Sequence, residues 1–153
     1  MAEGKTPFPV RLVTPEGVLF DGDAQLLIVT GTGGNIGFYA RHAPLVADLR
    51  VGSCRIQLED DSWLAWATSE GFAMVHDSTG RVLVEEAIAI DDINIAEVDE
   101  MIAHHANRIE TSGQGEHDIY SSDRNAAAKA IAWGEHLKRL HAEHSGSTVG
   151  ASH

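Results

Sequence analysis

Several features are scarce in this chain of 153 residues, and each scarcity excludes something. There is one cysteine, Cys54, so no internal disulfide can form and no cysteine-rich metal site can be built. Cys54 lies in an alternating apolar run, which suits a packed core thiol. Basic residues are few: 11 Lys and Arg face 23 Asp and Glu, a formal charge of −12. Such a balance repels phosphodiester backbones and anionic headgroups, so no nucleic-acid partner is expected. No apolar run approaches the roughly 18 residues of a membrane span, and the opening "MAEGKTPFPV" has no apolar signal region. The expectation is a cytosolic protein, or one held at a membrane only through partners. Four prolines and 15 glycines are too few for a disordered chain, and a hydrophobic fraction of 43% is enough for one ordinary core or a small core with an appendage.

What is present changes character near Asp91-Asp92. Before that point lie short β-type runs separated by turn chemistry. They are "VRLVT", "VLF", "AQLLIVT", "LVADL" ending before Val51-Gly52, "SCRIQL", "WLAWAT", "FAMVH" and "RVLVEEAIAI". Short turns between them leave no room for parallel crossovers. The pattern predicts an antiparallel β-sandwich of about ten short strands over residues 1–91. Beyond it, Ile95, Val98, Ile102, Ala106 and Ile109 recur at spacings of three and four, one face of a helix capped by Asn94 with Glu97 behind it. The stretch "ETSGQGEHDIYSS" reads as a loop, and Ser122 or Asp123 as the cap of a second helix. There Ala126, Ala130, Trp133, Leu137, Leu140 and His144 repeat the spacing. Gly134, opposite an alanine-rich face, is expected to weaken helix packing. The fold class is therefore α+β, predominantly β. A two-helix antiparallel hairpin over residues 92–144 follows the sandwich, with a disordered tail over 145–153.

The stretch "LIVTGTGGNIGFYARHAP" raises the question of a phosphate-cradling loop. Gly31, Gly33, Gly34 and Gly37 do not have the G-x-G-x-x-G spacing, Pro44 follows closely, and no helix begins there. Turn and strand-reversal geometry is the better reading. Nine histidines raise a metal question, but His104-His105 are adjacent and diverge on a helix. His141 and His144 have no evident third ligand, so no metal site is assigned. No serine stands in a nucleophile elbow. No catalytic or cofactor-binding residue is assigned, and the protein reads as a binding or mechanical part. From Asp123 to His144 four cations, Arg124, Lys129, Lys138 and Arg139, face three carboxylates in an otherwise acidic chain. That asymmetry suggests an acidic docking surface for the last helix. A stand-alone β-sandwich binding module with a helical interaction arm is the alternative.

With the segment "GNIGFYARHAPL", the order of sandwich and hairpin resembles the epsilon-subunit family of bacterial rotary F-type ATP synthases, which carries a "G-E-x-G-I-L-P-G-H-A-P-L" type segment after a strand. Val13-Thr14-Pro15-Glu16 and Phe20-Asp21-Gly22 match the family's opening "V-x-P-E-x-x-x-F-x-G" type pattern. "SEGFAMV" matches its "G-G-x-x-x-V" strand, with Glu70 for the first glycine, and Ala128–Ala132 matches its "A-K-A-I-A". The similarity runs from Phe8 to His144.

The resemblance implies a non-catalytic central-stalk subunit that joins ion flow through the c ring to ATP synthesis. Its implied partners are the gamma subunit, the c ring and the alpha/beta catalytic head. It would touch the membrane only through the ion-translocating sector, peripherally, on the cytoplasmic face of the bacterial plasma membrane. By position, Gly34, Asn35, Ile36, Arg41 and His42 would contact the c ring. In the family the hairpin can extend into the head and inhibit ATP hydrolysis, and Arg124, Lys129, Lys138 and Arg139 would meet an acidic segment of the beta subunit. Two departures stand out. Ala40-Arg41 replaces Pro-Gly before His-Ala-Pro. Asn94 and Glu97 replace the acid and arginine of the ATP-binding "I/L-D-x-x-R-A" motif, and a carboxylate in place of a phosphate-pairing arginine opposes ATP binding.

Overall fold

The computed structural model describes residues 6–112 and 119–150, and only the backbone of 111, 112, 119–123 and 146–150. The chain divides into two compact units, Met1–Ala89 and Ile90–His153.

Among the described residues the first unit has nine strands. They are β1 (Phe8–Thr14), β2 (Gly17–Ala24), β3 (Leu26–Gly31), β4 (Gly34–Phe38), β5 (Leu45–Gln57), β6 (Trp63–Thr68), β7 (Gly71–His76), β8 (Thr79–Val84) and β9 (Ala87–Ala89). Their order is β2-β1-β8-β7-β5-β3-β4, with β6 pairing both β5 and β9. All pairs are antiparallel except β1 with β8. The short turns do exclude local crossovers. The parallel pair arises because the whole of the chain from β2 to β7 serves as its connection.

Alternation drives the folding of this unit. Along β1, Phe8, Val10 and Leu12 point inward while Pro9 and Arg11 face solvent. Leu27, Val29, Phe38, Cys54, Ile56, Val75 and Val82 meet them in one core cluster. Each such side chain contributes about 1.5–3 kcal/mol on burial. "LVADL" and "SCRIQL", which the sequence presents as two strands, are one strand of 13 residues. Its first part, Leu45–Leu49, pairs with β7, and its second, Gly52–Gln57, pairs with β6. The partner β3 shifts register between Val29 and Gly31, where Thr30 Oγ1 accepts the Ser53 N–H at 3.1 Å. A bulge of this kind bends a strand without breaking it, and the single strand serves both parts of the sheet.

The second unit opens with a 3-10 turn, Ile90–Asp92, followed by α1 (Ile95–Ser112) and α2 (Ile119–Gly150). Asn94 caps α1 as expected: its Oδ1 accepts the N–H groups of Ala96 at 3.0 Å and Glu97 at 3.3 Å. The loop expected over 110–122 is narrower, since α1 continues to Ser112 and α2 begins at Ile119, while residues 113–118 lie outside the described residues. α2 also runs on through Gly150, past the expected end at His144, and the last three residues of the expected tail lie outside the described ones. Extending a nucleated helix needs only one bond per residue fixed, so weak helix formers at its end can follow. On α2 the inward alanine is Ala127, with Ala126 exposed. Gly134, His136, Leu137 and Leu140 are also buried.

Candidate interaction surfaces

The glycine-rich segment is a hairpin whose second strand lies at the end of the sheet order. β4 pairs with β3 through Leu27↔Phe38 to Gly31↔Gly34, and Thr32-Gly33 make the turn. Gly34 has φ +128, a conformation that side-chain-bearing residues rarely adopt. Asn35 is exposed, and its Oδ1 accepts from Thr30 Oγ1 at 3.3 Å. The Thr30 hydroxyl therefore links the β5 bend to β4. Ile36 is half-buried and packs against the core cluster.

Arg41 and His42 sit beyond the other end of β4, about 13 Å of extended chain from Gly34 to Phe38. The His42 N–H donates to the Tyr39 carbonyl at 3.3 Å, closing a turn with Ala40 and Arg41 at its centre. Arg41 has φ 64, so an arginine occupies a left-handed position that favours glycine. Its N–H donates to Ser78 Oγ at 3.2 Å. His42 Nδ1 lies 2.7 Å from the Ala43 carbonyl and donates to it, and the ring meets Phe38 edge to face with centroids 5.1 Å apart. The structure thus groups Gly34, Asn35 and Ile36 on one strand, groups Arg41 and His42 in one turn, and separates the two groups along β4.

A second surface escapes motif reading. Cross-strand partners share a face, and register links Phe72, Leu83, Val13 and Val18 across β7, β8, β1 and β2. Phe72 is 42% exposed and Val18 53%, and Val46, 68% exposed, stands opposite Met74 in the neighbouring row. An apolar row across four strands, exposed at Phe72 and Val18 and half-buried at Leu83 and Val13, is a candidate binding face. The only signal for it in the sequence is that both alternating positions of "FAMV" are apolar.

The four candidate cations lie along α2. At about 100° per residue, Arg124, Lys138 and Arg139 fall within about 100° of arc, with Lys129 about 140° from Arg124. Arg124, Lys129 and Arg139 are exposed. Lys138 Nζ pairs with Asp99 Oδ1 of α1 at 2.8 Å. That hydrogen bond, with the Asp99 charge behind it, holds the ammonium above its ordinary range. Arg139 Nη2 donates to His136 Nδ1 at 2.9 Å, which fixes the imidazole proton on Nε2. His144 Nε2 lies 2.8 Å from Asp91 Oδ1. Among the described residues no group of three or more potential metal ligands gathers, and no helix is long and apolar enough to cross a membrane.

A mainly antiparallel sandwich bearing exposed turns and an apolar face, followed by a helical pair, defines a two-part coupling or docking protein. The family described as "ATP synthase, Delta/Epsilon chain, beta-sandwich domain" matches residues 7–90, and the chain belongs to the ATP synthase delta/epsilon family. An ATP synthase epsilon chain of Rubrobacter xylanophilus is 30% identical over 94% of this chain and 97% of its own length. A chloroplastic ATP synthase epsilon chain of Pisum sativum is 30% identical over 87% of this chain and 98% of its own. Among solved structures, a chain of the Euglena gracilis mitochondrial ATP synthase, OSCP/F1/c-ring assembly, superposes with a TM-score of 0.65 at 17% identity, over 91% of this chain and 85% of that one. A chain of the Tetrahymena thermophila ATP synthase central stalk and c-ring gives 0.56 at 14% identity, over 90% and 98%. These two establish likeness of fold.

Proposed function

We propose that the chain is the epsilon-type subunit of the central stalk of an F-type ATP synthase: a non-catalytic rotor part that couples ion translocation through the c ring to ATP synthesis in the catalytic head. The observation that carries this is the match, in both units, to an ATP synthase epsilon chain along 94% of this chain. The protein belongs with a membrane-associated complex and reaches the membrane through the ion-translocating sector. For a bacterial enzyme this is the cytoplasmic face.

The apolar row through Phe72, Leu83, Val13 and Val18 is suited to the gamma subunit, because a permanent rotor interface needs apolar area at its centre. Gly34, Asn35, Arg41 and His42 supply the contact with the c ring. Ile36 supports that surface from beneath, since it packs against the core. The two ends of β4 touch the ring at separate points, and the Thr30 and Ser78 hydrogen bonds stiffen them for torque. The second unit is the regulator: when it opens, the cations of α2 meet an acidic segment of the catalytic head and slow hydrolysis.

Reconstitution tests this reading. Added to an ATP synthase stripped of its own epsilon chain, the full chain restores ion-gradient-driven ATP synthesis and lowers ATP hydrolysis. A form ending at Asp92 restores synthesis but not the inhibition. Full-length protein that leaves both rates unchanged would refute the assignment.

A further inference from the structure

The second unit carries a feature that neither the family match nor the motif reading assigns. We infer that it is held shut by a latch built from a helix crossing at Gly134 and the Lys138–Asp99 ion pair, and that Asp99 competes with the acidic partner for Lys138. This rests on the regulatory reading above.

At Gly134 the two helices approach as closely as a missing side chain allows. A Cβ there would lie 2.7 Å from Ile102 Cγ1 and 2.9 Å from Met101 Cε. The Met101 methyl could swing aside, but Ile102 is β-branched and stiff at its first torsion. Gly134, expected to loosen the packing, instead permits it. One turn further along α2, Lys138 meets Asp99, one turn before Ile102 on α1. Beyond them His144 reaches Asp91 in the 3-10 turn. The three contacts run in antiparallel order and close the hairpin from its crossing to its open end.

The two neighbouring cations differ in what opening does to them. Arg139 is bound to His136 on its own helix and travels with that partner. Lys138 is bound across the hairpin and leaves Asp99 behind. Docking of Lys138 on an acidic surface therefore requires the latch to break. The cost is small enough for a switch, because Lys138 and Asp99 side chains are 39% and 54% exposed.

The test uses the full chain carrying spin labels at Ala103→Cys and Ala132→Cys, both on exposed positions, with their separation read by pulsed electron resonance. Gly134→Ala is decisive because only one of its two effects differs between the states. Alanine is the better helix former in either state, but only the closed state contains the clash. The open-to-closed ratio rises about tenfold in Gly134→Ala and about two- to fivefold in Asp99→Asn. The exchanged pair, Asp99→Lys with Lys138→Asp, returns it toward the parent value. ATPase inhibition by the single variants rises in step. A Gly134→Ala chain that stays closed or closes further overturns the latch. Variants that open without stronger inhibition support the latch and overturn the regulatory reading instead.

Discussion

The Arg41 N–H donates to Ser78 Oγ, so the turn after β4 is fastened to the turn between β7 and β8. Both turns use left-handed backbone without glycine: φ is 64 at Arg41, 50 at Asp77 and 57 at Ser78. Side chains at such positions cost about 1 kcal/mol each. Arg41→Gly is therefore expected to raise stability by about 0.5–1 kcal/mol, after the greater chain entropy of glycine is discounted. The midpoint of urea unfolding checks this. If the charge of Arg41 meets the c ring, the more stable variant binds the ring more weakly.

Leu27 is fully buried between the layers, and its Cδ2 lies 3.3 Å from where a Cβ on Gly80 would stand. Leu27→Ala leaves a cavity that a close-packed sandwich fills only in part. The expected loss is about 2–5 kcal/mol, read from the same unfolding curves.

Asn94 satisfies two N–H groups at the start of α1. Asn94→Ala costs the second unit about 1 kcal/mol. Amide exchange at Ala96 and Glu97 accelerates, while exchange in β1 and β8 stays as in the parent.

Burial pushes the Cys54 thiol from 9.0 up to about 12. The folded chain resists thiol reagents at pH 8 and reacts only when it opens, so labelling follows the unfolding rate. The raised value also fixes a sign. Below pH 9 the group is protonated in both states and its contribution is fully present. As pH climbs from 9 toward 12 the unfolded chain ionises first, and stability falls. Cys54→Ser removes that alkaline decline, which thermal unfolding at pH 8 and 10 detects.

Much of the architecture was legible in the residues. The alternation of Phe8, Val10 and Leu12 gave a strand, the spacing of Ile95, Val98 and Ile102 gave a helix, and Asn94 gave its start. The union of "LVADL" and "SCRIQL" was hidden, because Val51-Gly52 is equally compatible with a turn and with a bend. The pairing of Leu45–Leu49 with β7 and of Gly52–Gln57 with β6 decides for the bend, and the Thr30–Ser53 hydrogen bond between β3 and β5 accompanies it. A missing side chain at Gly134 suggests weak packing for as long as the facing residue is unknown. What decides its role is Ile102 on the other helix. The Phe72–Leu83–Val13–Val18 row depends on which strands lie side by side, including the parallel β1–β8 pair, and no local pattern carries that. For Arg41 and His42, position in the chain suggests one contact shared with Gly34, Asn35 and Ile36, but the turn they form and its distance from Gly34 follow from β4 being extended.

The most direct measurement of the central claim is affinity capture of the tagged full chain with the gamma subunit and c ring of its own organism, beside a Phe72→Glu variant. The account predicts that the parent chain brings down both partners in fixed proportion. The variant, folded but carrying a charge in the apolar row, should lose gamma. A parent chain that captures neither partner would contradict the assignment to the rotor.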